Sequence, residues 1–287
     1  MKPSESVFVP VRGLRYHCRC WGDARARKLF MLHGWMDVSA SFQFVVDALR
    51  GEWRVIAPDW RGFGLSEWAK GDGYWFPDYF ADLEHLIGHF QPEAPAVLIG
   101  HSMGGNVAAM YAGIRPERVA KLIDLEGFGL RRAGAGEAPK RYAQWLGELA
   151  DKPSFRDYDS FEALADRLCG NNPRLSREKA LFLARHWGTE KEGRVQLASD
   201  PAHKLVNPVL YRLEEAEACW RNVAAPVLWV AGAESKAAEF LKLSAQDLAA
   251  RKACFRHLTE RVVPEAGHML HHDQPERVAE VIEEFLG

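Results

Sequence analysis

The sequence predicts an α/β protein in which a mostly parallel sheet carries helices on both faces. Three observations point there. Short apolar runs of the buried-strand type alternate with helical patterns. That rhythm is interrupted once, between about residues 128 and 205, and then resumes. Finally, an apolar run breaks at a serine flanked by glycines, and a helix opens directly after it. Strands of a parallel sheet are covered on both faces, so they read as continuous apolar runs rather than alternating ones.

Taken in order, residues 7–10 and 14–21, joined through "VRG", predict an opening hairpin. "LFMLHG" and "RVIAPD" read as buried strands, with the short helical pattern "VVDALR" between them. Helix "YFADLEHLIGHF", strand "AVLIG", helix "MGGNVAAMYAGI" and strand "KLIDLE" follow. Residues 128–205 are richer in charge and aromatics, with helical patterns around 142–149, 161–168 and 179–186. Within them "RRAGAGEAPKR" reads as a loose linker and "RVQLASD" as a weak strand candidate. The alternation then returns with "PVLWVAG", "AAEFLKLSAQDLAAR", "ERVVPEAG" and the terminal helix "PERVAEVIEEFL". An insertion between two sheet strands predicts a helical cap at 128–205, set on a core built from 1–127 and 206–287.

Bulk properties narrow the function. A chain of 287 residues with 47% apolar content can bury one large core. Its 37 basic and 39 acidic residues nearly cancel, which gives no electrostatic footprint for nucleic acid or an anionic membrane. A small-molecule partner fits better. Cys18, Cys20, Cys169, Cys219 and Cys254 are odd in number and show no paired metal-ligand spacing, so free buried thiols are expected rather than disulfides or zinc. With no signal-peptide pattern and no run of about eighteen apolar residues, a soluble cytoplasmic protein is expected.

The chemistry concentrates in three places. "GHSMG" follows a strand and opens a helix, the setting of a nucleophile elbow that lifts the Ser102 hydroxyl clear of the sheet. The helix start at Met103 aims free backbone N–H groups at the same spot. "HGW" ends an earlier strand, where the Trp35 N–H pairs with that of Met103 as a candidate oxyanion hole. "EAGHML" puts His268 just before the last helix, the chain order of nucleophile and base on such a scaffold. In "DWRGFGLS" the aspartate and arginine read as braces for loops.

Together these motifs resemble the α/β-hydrolase fold superfamily, over nearly the whole chain from "LFMLHG" to the last helix. The resemblance implies an eight-stranded, mostly parallel sheet with a helical cap over the serine, Ser102 as nucleophile and His268 as base. It also exposes a departure. Most members carry their acid in a G-x-x-D pattern after the strand matching "VLWVAG", whereas here the residues are Gly232, Ala233, Glu234 and Ser235. Glu126, at the end of "KLIDLE", is the favoured acid, placed as in some haloalkane dehalogenases of the superfamily. Glu234 is the alternative, and the lack of any working acid a third reading. Asp124 shares a strand face with Glu126 but lies deeper, and reads as structural.

The remaining conspicuous residues take plain readings. His101 is expected to pack at the sheet top, and His271 and His272 to be incidental surface or packing histidines with no metal. Tyr142, Trp145, Phe161, Phe182 and Trp187 are expected mostly in the cap core, with room for one or two to line the pocket. A serine nucleophile sets aside the halide-displacing and epoxide-opening branches, which use aspartate. The expected activity is carboxylic-ester hydrolysis through an acyl-enzyme, chemistry that needs no metal or organic cofactor; a small or medium apolar acyl substrate is expected from the apolar cap and the absence of a charged pocket signature in the sequence. Carbon–carbon bond hydrolysis and a non-catalytic binding protein on the same scaffold are the alternatives.

Overall fold

A computed structural model describes residues 1–71 and 73–287. The sheet begins with the antiparallel hairpin β1 (Ser4–Val11) and β2 (Leu14–Trp21), turned by Arg12 and Gly13 at φ 48° and 81°. Two residues of positive φ match the right-handed twist of the strands they join. Next come β3 (Arg27–Leu32), α1 (Gln43–Ala48), β4 (Trp53–Pro58), α2 (Phe76–Phe90), β5 (Ala96–His101), α3 (Met103–Ile114) and β6 (Val119–Leu125).

An insertion then supplies α4 (Ala138–Ala150), α5 (Phe161–Asn171), α6 (Arg177–Trp187), β7 (Gly188–Lys191) and β8 (Arg194–Leu197). The core resumes with α7 (Leu213–Arg221), β9 (Val227–Gly232), α8 (Ala237–Phe240), α9 (Ala245–Lys252), β10 (Leu258–Val263), α10 (Leu270–Asp273) and α11 (Pro275–Leu286). The eight-stranded sheet runs β1-β2-β4-β3-β5-β6-β9-β10, and every pairing from β4 to β10 is parallel. Among the described residues, no helix is long and apolar enough to cross a membrane.

Strand alternation divides the core into two layers. Phe30, Leu32, Leu98 and Leu122 meet α2, α3 and α7 through Leu83, Val107 and Trp220. Leu29, Met31, Ile99 and Ile123 meet α1 and α11 through Val46, Val278 and Ile282. Both faces are therefore dry, which is why the strands read as unbroken apolar runs. The parallel strands end together, and the loops leaving β3, β5, β6 and β9 converge there, where ligands bind in sheets of this kind.

Three local expectations change. "RVQLASD" contributes β8, which pairs with β7 in a two-stranded hairpin, and Tyr158 bridges to its Val195. "AAEFLKLSAQDLAAR" is two helices rather than one: Lys242 takes φ 55°, and Ser244 caps α9 reciprocally with Asp247. The end of the supposed linker is helical, as the start of α4.

The insertion has its own apolar cluster, formed by α5, α6, Val195 and the core residue Phe44, and Phe161, Phe182 and Trp187 pack against it. Tyr142 and Trp145 do not join it. Helix α4 buries no residue, and Tyr142 is exposed. Helical periodicity marks an apolar stripe without saying whether another element covers it. All five cysteines are free, with Cys169 and Cys219 only partly buried.

Candidate active site

Ser102 occupies the single residue between β5 and α3, at φ 52° and ψ −114°. A non-glycine residue held there is strained, and the surrounding close packing is what holds it. Gly104 makes that packing possible, because a Cβ on it would come within 2.1 Å of the Leu32 carbonyl oxygen. The Ser102 N–H donates to the Leu125 carbonyl at 2.9 Å, fastening the elbow to β6.

The loop after β3 reaches the same point. A Cβ on Gly34 would lie 3.3 Å from the Ser102 Cβ, so the backbone entering Trp35 runs directly against Ser102. His33 fixes that loop: its Nε2 accepts from the Trp60 N–H at 2.9 Å, which leaves Nδ1–H to donate to the Gly34 carbonyl at 2.7 Å. Met103 opens α3, so its N–H has no partner within the helix. The Trp35 side chain is exposed on the cleft wall.

His268 Nε2 lies 3.1 Å from Ser102 Oγ, and Nδ1 lies 3.1 Å from Glu126 Oε2. Glu126 also sits at positive φ, 64°, with its side chain fully buried. Its carboxylate is well furnished with donors. The Gly232 N–H donates to Oε1 at 2.7 Å, and the Ser235 hydroxyl donates to Oε2 at 2.5 Å. Buried charge is tolerable only with such donors. Ser235 thus stands where G-x-x-D would place a carboxylate, and supplies a hydrogen bond to the glutamate from the neighbouring strand. The sequence signal for it was the departure itself.

Glu234 is turned elsewhere, ion-paired with Arg174 of the insertion and half exposed. Asp124 is buried beneath the elbow, and burial pushes its carboxyl pKa well up although the Gly127 N–H donates to it at 2.7 Å. His101 is buried at the sheet top and donates from Nε2 to the His268 carbonyl at 2.9 Å. Burial drives its pKa well below the usual imidazole value, with His271 and His268 adding to the effect.

The loop after β4 acts as a brace. Asp59 accepts from His17 Nδ1 and the Ser39 N–H at 2.7 Å each, while Arg61 donates to Asp82 at 2.5 and 2.6 Å.

Of the two readings for His271 and His272, the structure gives packing rather than surface: both are buried against Phe42 and Phe44. The expectation that no carboxylate accompanies them is corrected, since Asp37, far away in the sequence, lies beside them.

A cleft of about 1900 Å³ opens over Ser102 and His268, lined on its apolar side by Phe80, Met110, Phe128 and Leu210. The expectation of an uncharged pocket is corrected, since Arg141, Arg174 and Lys236 also reach its wall. These cations come from separate elements and leave no pattern in sequence.

Comparison with known proteins agrees with this architecture. A model of the alpha/beta hydrolase family matches residues 29–281. A serine hydrolase-like protein of Danio rerio is 29% identical, over 100% of this chain and 90% of its own length. A 3-hydroxybutyrate-oligomer hydrolase of Cupriavidus necator is also 29% identical, over 93% and 91%. Among solved structures, a thioesterase domain from a curacin biosynthetic pathway superposes with a TM-score of 0.89 at 24% identity, covering 98% of this chain and 99% of that one. At that identity the likeness speaks for the fold alone. With the family model spanning most of the sheet and both ends of the site, the chain belongs to the alpha/beta hydrolase family.

Proposed function

We propose that the protein is a carboxylic-ester hydrolase working through Ser102, His268 and Glu126 and an acyl-enzyme. The observation that carries this reading is the unbroken chain of contacts from Ser102 Oγ through His268 to the Glu126 carboxylate. With Nδ1–H donating to Glu126, a neutral His268 keeps Nε2 bare toward the serine. It takes the hydroxyl proton as Oγ bonds to the acyl carbon. The N–H groups of Trp35 and Met103 receive the oxyanion, whose charge appears only in the transition state. His268 then passes its proton to the departing alkoxide, releasing the alcohol. Water attacks the acyl-enzyme by the same route, and the acid leaves as Ser102 regains its proton.

Glu126 fixes the imidazole tautomer and stabilises the transient imidazolium. This supports catalysis over the reading of the scaffold as an idle binding protein, which rested on the missing G-x-x-D aspartate. The apolar side of the cleft supports an apolar acyl group, and Arg141 and Lys236 on its wall support a polar group elsewhere on the substrate. The Cupriavidus relative is named for hydrolysing an oligomer of a hydroxy acid. Such oligomers are joined by esters, which favours ester over carbon–carbon cleavage.

The test is fluorophosphonate labelling together with a panel of nitrophenyl esters of increasing acyl length, with a diketone included. Wild-type protein should label at Ser102 and hydrolyse esters. Ser102→Ala should lose labelling and at least about three orders of magnitude in kcat/KM while keeping its fold. Full activity in Ser102→Ala, or diketone cleavage faster than that of any ester, would overturn the reading.

A further inference from the structure

Next to His268, the imidazoles of His101, His271 and His272 and the carboxylate of Asp37 crowd together. The His101 and His271 rings lie 4.2 Å apart and those of His271 and His272 4.1 Å apart, centre to centre, each pair tilted by about 50°. Asp37 Oδ2 approaches His271 Nε2 at 3.8 Å, beyond hydrogen-bond reach. Asp37, His271 and His272 are all at most 2% exposed. Asp37 Oδ1 is occupied, accepting from the Val38 N–H at 2.8 Å and from the Ser41 hydroxyl. Its Oδ2 is not. Among the described residues, Asp37 Oδ2, both ring nitrogens of His271 and Nε2 of His272 find no hydrogen-bonding protein partner.

Four such atoms in one buried cluster call for an explanation. A buried polar group left unsatisfied is destabilising, and native proteins leave few. One donor atom from each of Asp37, His271 and His272 lies within 4.8 Å of the others. Donors bound to a tetrahedral zinc at about 2.0–2.1 Å stand roughly 3.3 Å apart, so a modest contraction closes the triangle.

We propose that Asp37, His271 and His272 form a binding site for zinc or a similar first-row divalent cation. Two imidazoles and one carboxylate suit such ions better than magnesium or calcium, which take oxygen ligands.

The site joins two functional loops. Asp37 follows the loop that carries Gly34 and Trp35, and His271 and His272 belong to α10, directly after His268. A bound ion would clamp these loops together, and Phe42 and Phe44 shield it on the apolar side.

The experiment uses the full chain, stripped by chelator and then titrated with Co²⁺ and Zn²⁺, with prolonged incubation because entry to a buried site needs local opening. Wild type should bind one equivalent, show the intense visible bands of four-coordinate cobalt, and melt at higher temperature with zinc than without. His272→Gln and His271→Asn, checked for folding by circular dichroism, should weaken binding about 100-fold or more. Asp37→Asn should do the same if it folds, but the two histidine variants carry the test without it. Mg²⁺ should produce no shift. Absence of a bound equivalent would overturn the proposal, as expected of a cluster satisfied only by internal water. Binding undiminished in the histidine variants would overturn it equally, by tracing the ion to other side chains. Neither outcome depends on the esterase reading, because no readout uses activity.

Discussion

Ser235 and His268 share one oxygen of Glu126, and at the residue scale that meeting carries the case for the proposed triad. Glu126 Oε2 receives the Ser235 hydroxyl at 2.5 Å and faces His268 Nδ1 at 3.1 Å, while Glu234 is drawn off by Arg174. Glu126→Gln keeps size and most hydrogen bonding but removes the charge opposite the imidazolium. Its kcat should fall by about two to four orders of magnitude at neutral pH, with KM little changed. Glu234→Gln should stay within about threefold of wild type, and the double variant should match Glu126→Gln, since an uninvolved carboxylate adds nothing. The reverse ranking would move the role to Glu234. Ser235→Ala removes one hydrogen bond to a charged acceptor, and kcat should drop about tenfold. A kcat equal to wild type would make the serine a bystander.

At the scale of elements, the site is the place where four loops meet at the strand ends, and the elbow is held by contacts too close for side chains. Gly104 backs onto the carbonyl of Leu32 in β3, so the first turn of α3 sits hard against the neighbouring strand. Gly104→Ala must push the two elements apart. It should therefore abolish fluorophosphonate labelling and lower the melting temperature together. Labelling at the wild-type rate in a folded Gly104→Ala protein would show that the elbow tolerates displacement. The insertion is fastened to the core at separate points. Asn106 on α3 accepts from the Gly129 N–H at 2.7 Å, and the Gly64 N–H donates to the Ala198 carbonyl at 2.7 Å.

Across the whole molecule, that fastening has a dependence on pH. His203, at the end of the insertion, is sandwiched between Phe63 and Tyr74 at 3.8 and 3.6 Å, with Nε2 3.1 Å from the Arg61 carbonyl. Burial pushes its pKa down to about 3. Unfolded, the same ring binds a proton near pH 6.5; folded, it stays neutral. As pH falls below about 6.5 the unfolded state gains a proton that the native state refuses, and stability drops by up to about 1.4 kcal/mol per pH unit. Asp59 acts later. The contacts from His17 and others hold it at about 2 against its burial, so its contribution is present at neutral pH and is lost only as pH falls from about 4 toward 2. Urea unfolding at pH 7.5 and 5.5 should show wild type weaker at the lower pH, and His203→Gln should lose less by roughly one proton's worth. Equal losses in both proteins would remove His203 from the account.

Much of this was legible in the linear sequence because the signals are local. Apolar runs marked buried strands, the two glycines around Ser102 marked a turn that side chains would obstruct, and the order of Ser102 before His268 followed from the family's chain path. What stayed hidden depends on residues distant in sequence. The choice between Glu126 and Glu234 rests on which carboxylate faces His268 and which faces Arg174, a matter of side-chain direction at the ends of adjacent strands. The exposure of Tyr142 turned on whether any element covers α4, and the cations of the cleft converge from separate loops. His271 and His272 looked unaccompanied because their carboxylate, Asp37, lies more than two hundred residues earlier and reaches them only when the loop after β3 packs on α10. Periodicity fixes which face of an element is apolar, but only the packed sheet brings charges from different elements within reach of one another, and the candidate site is made of such encounters.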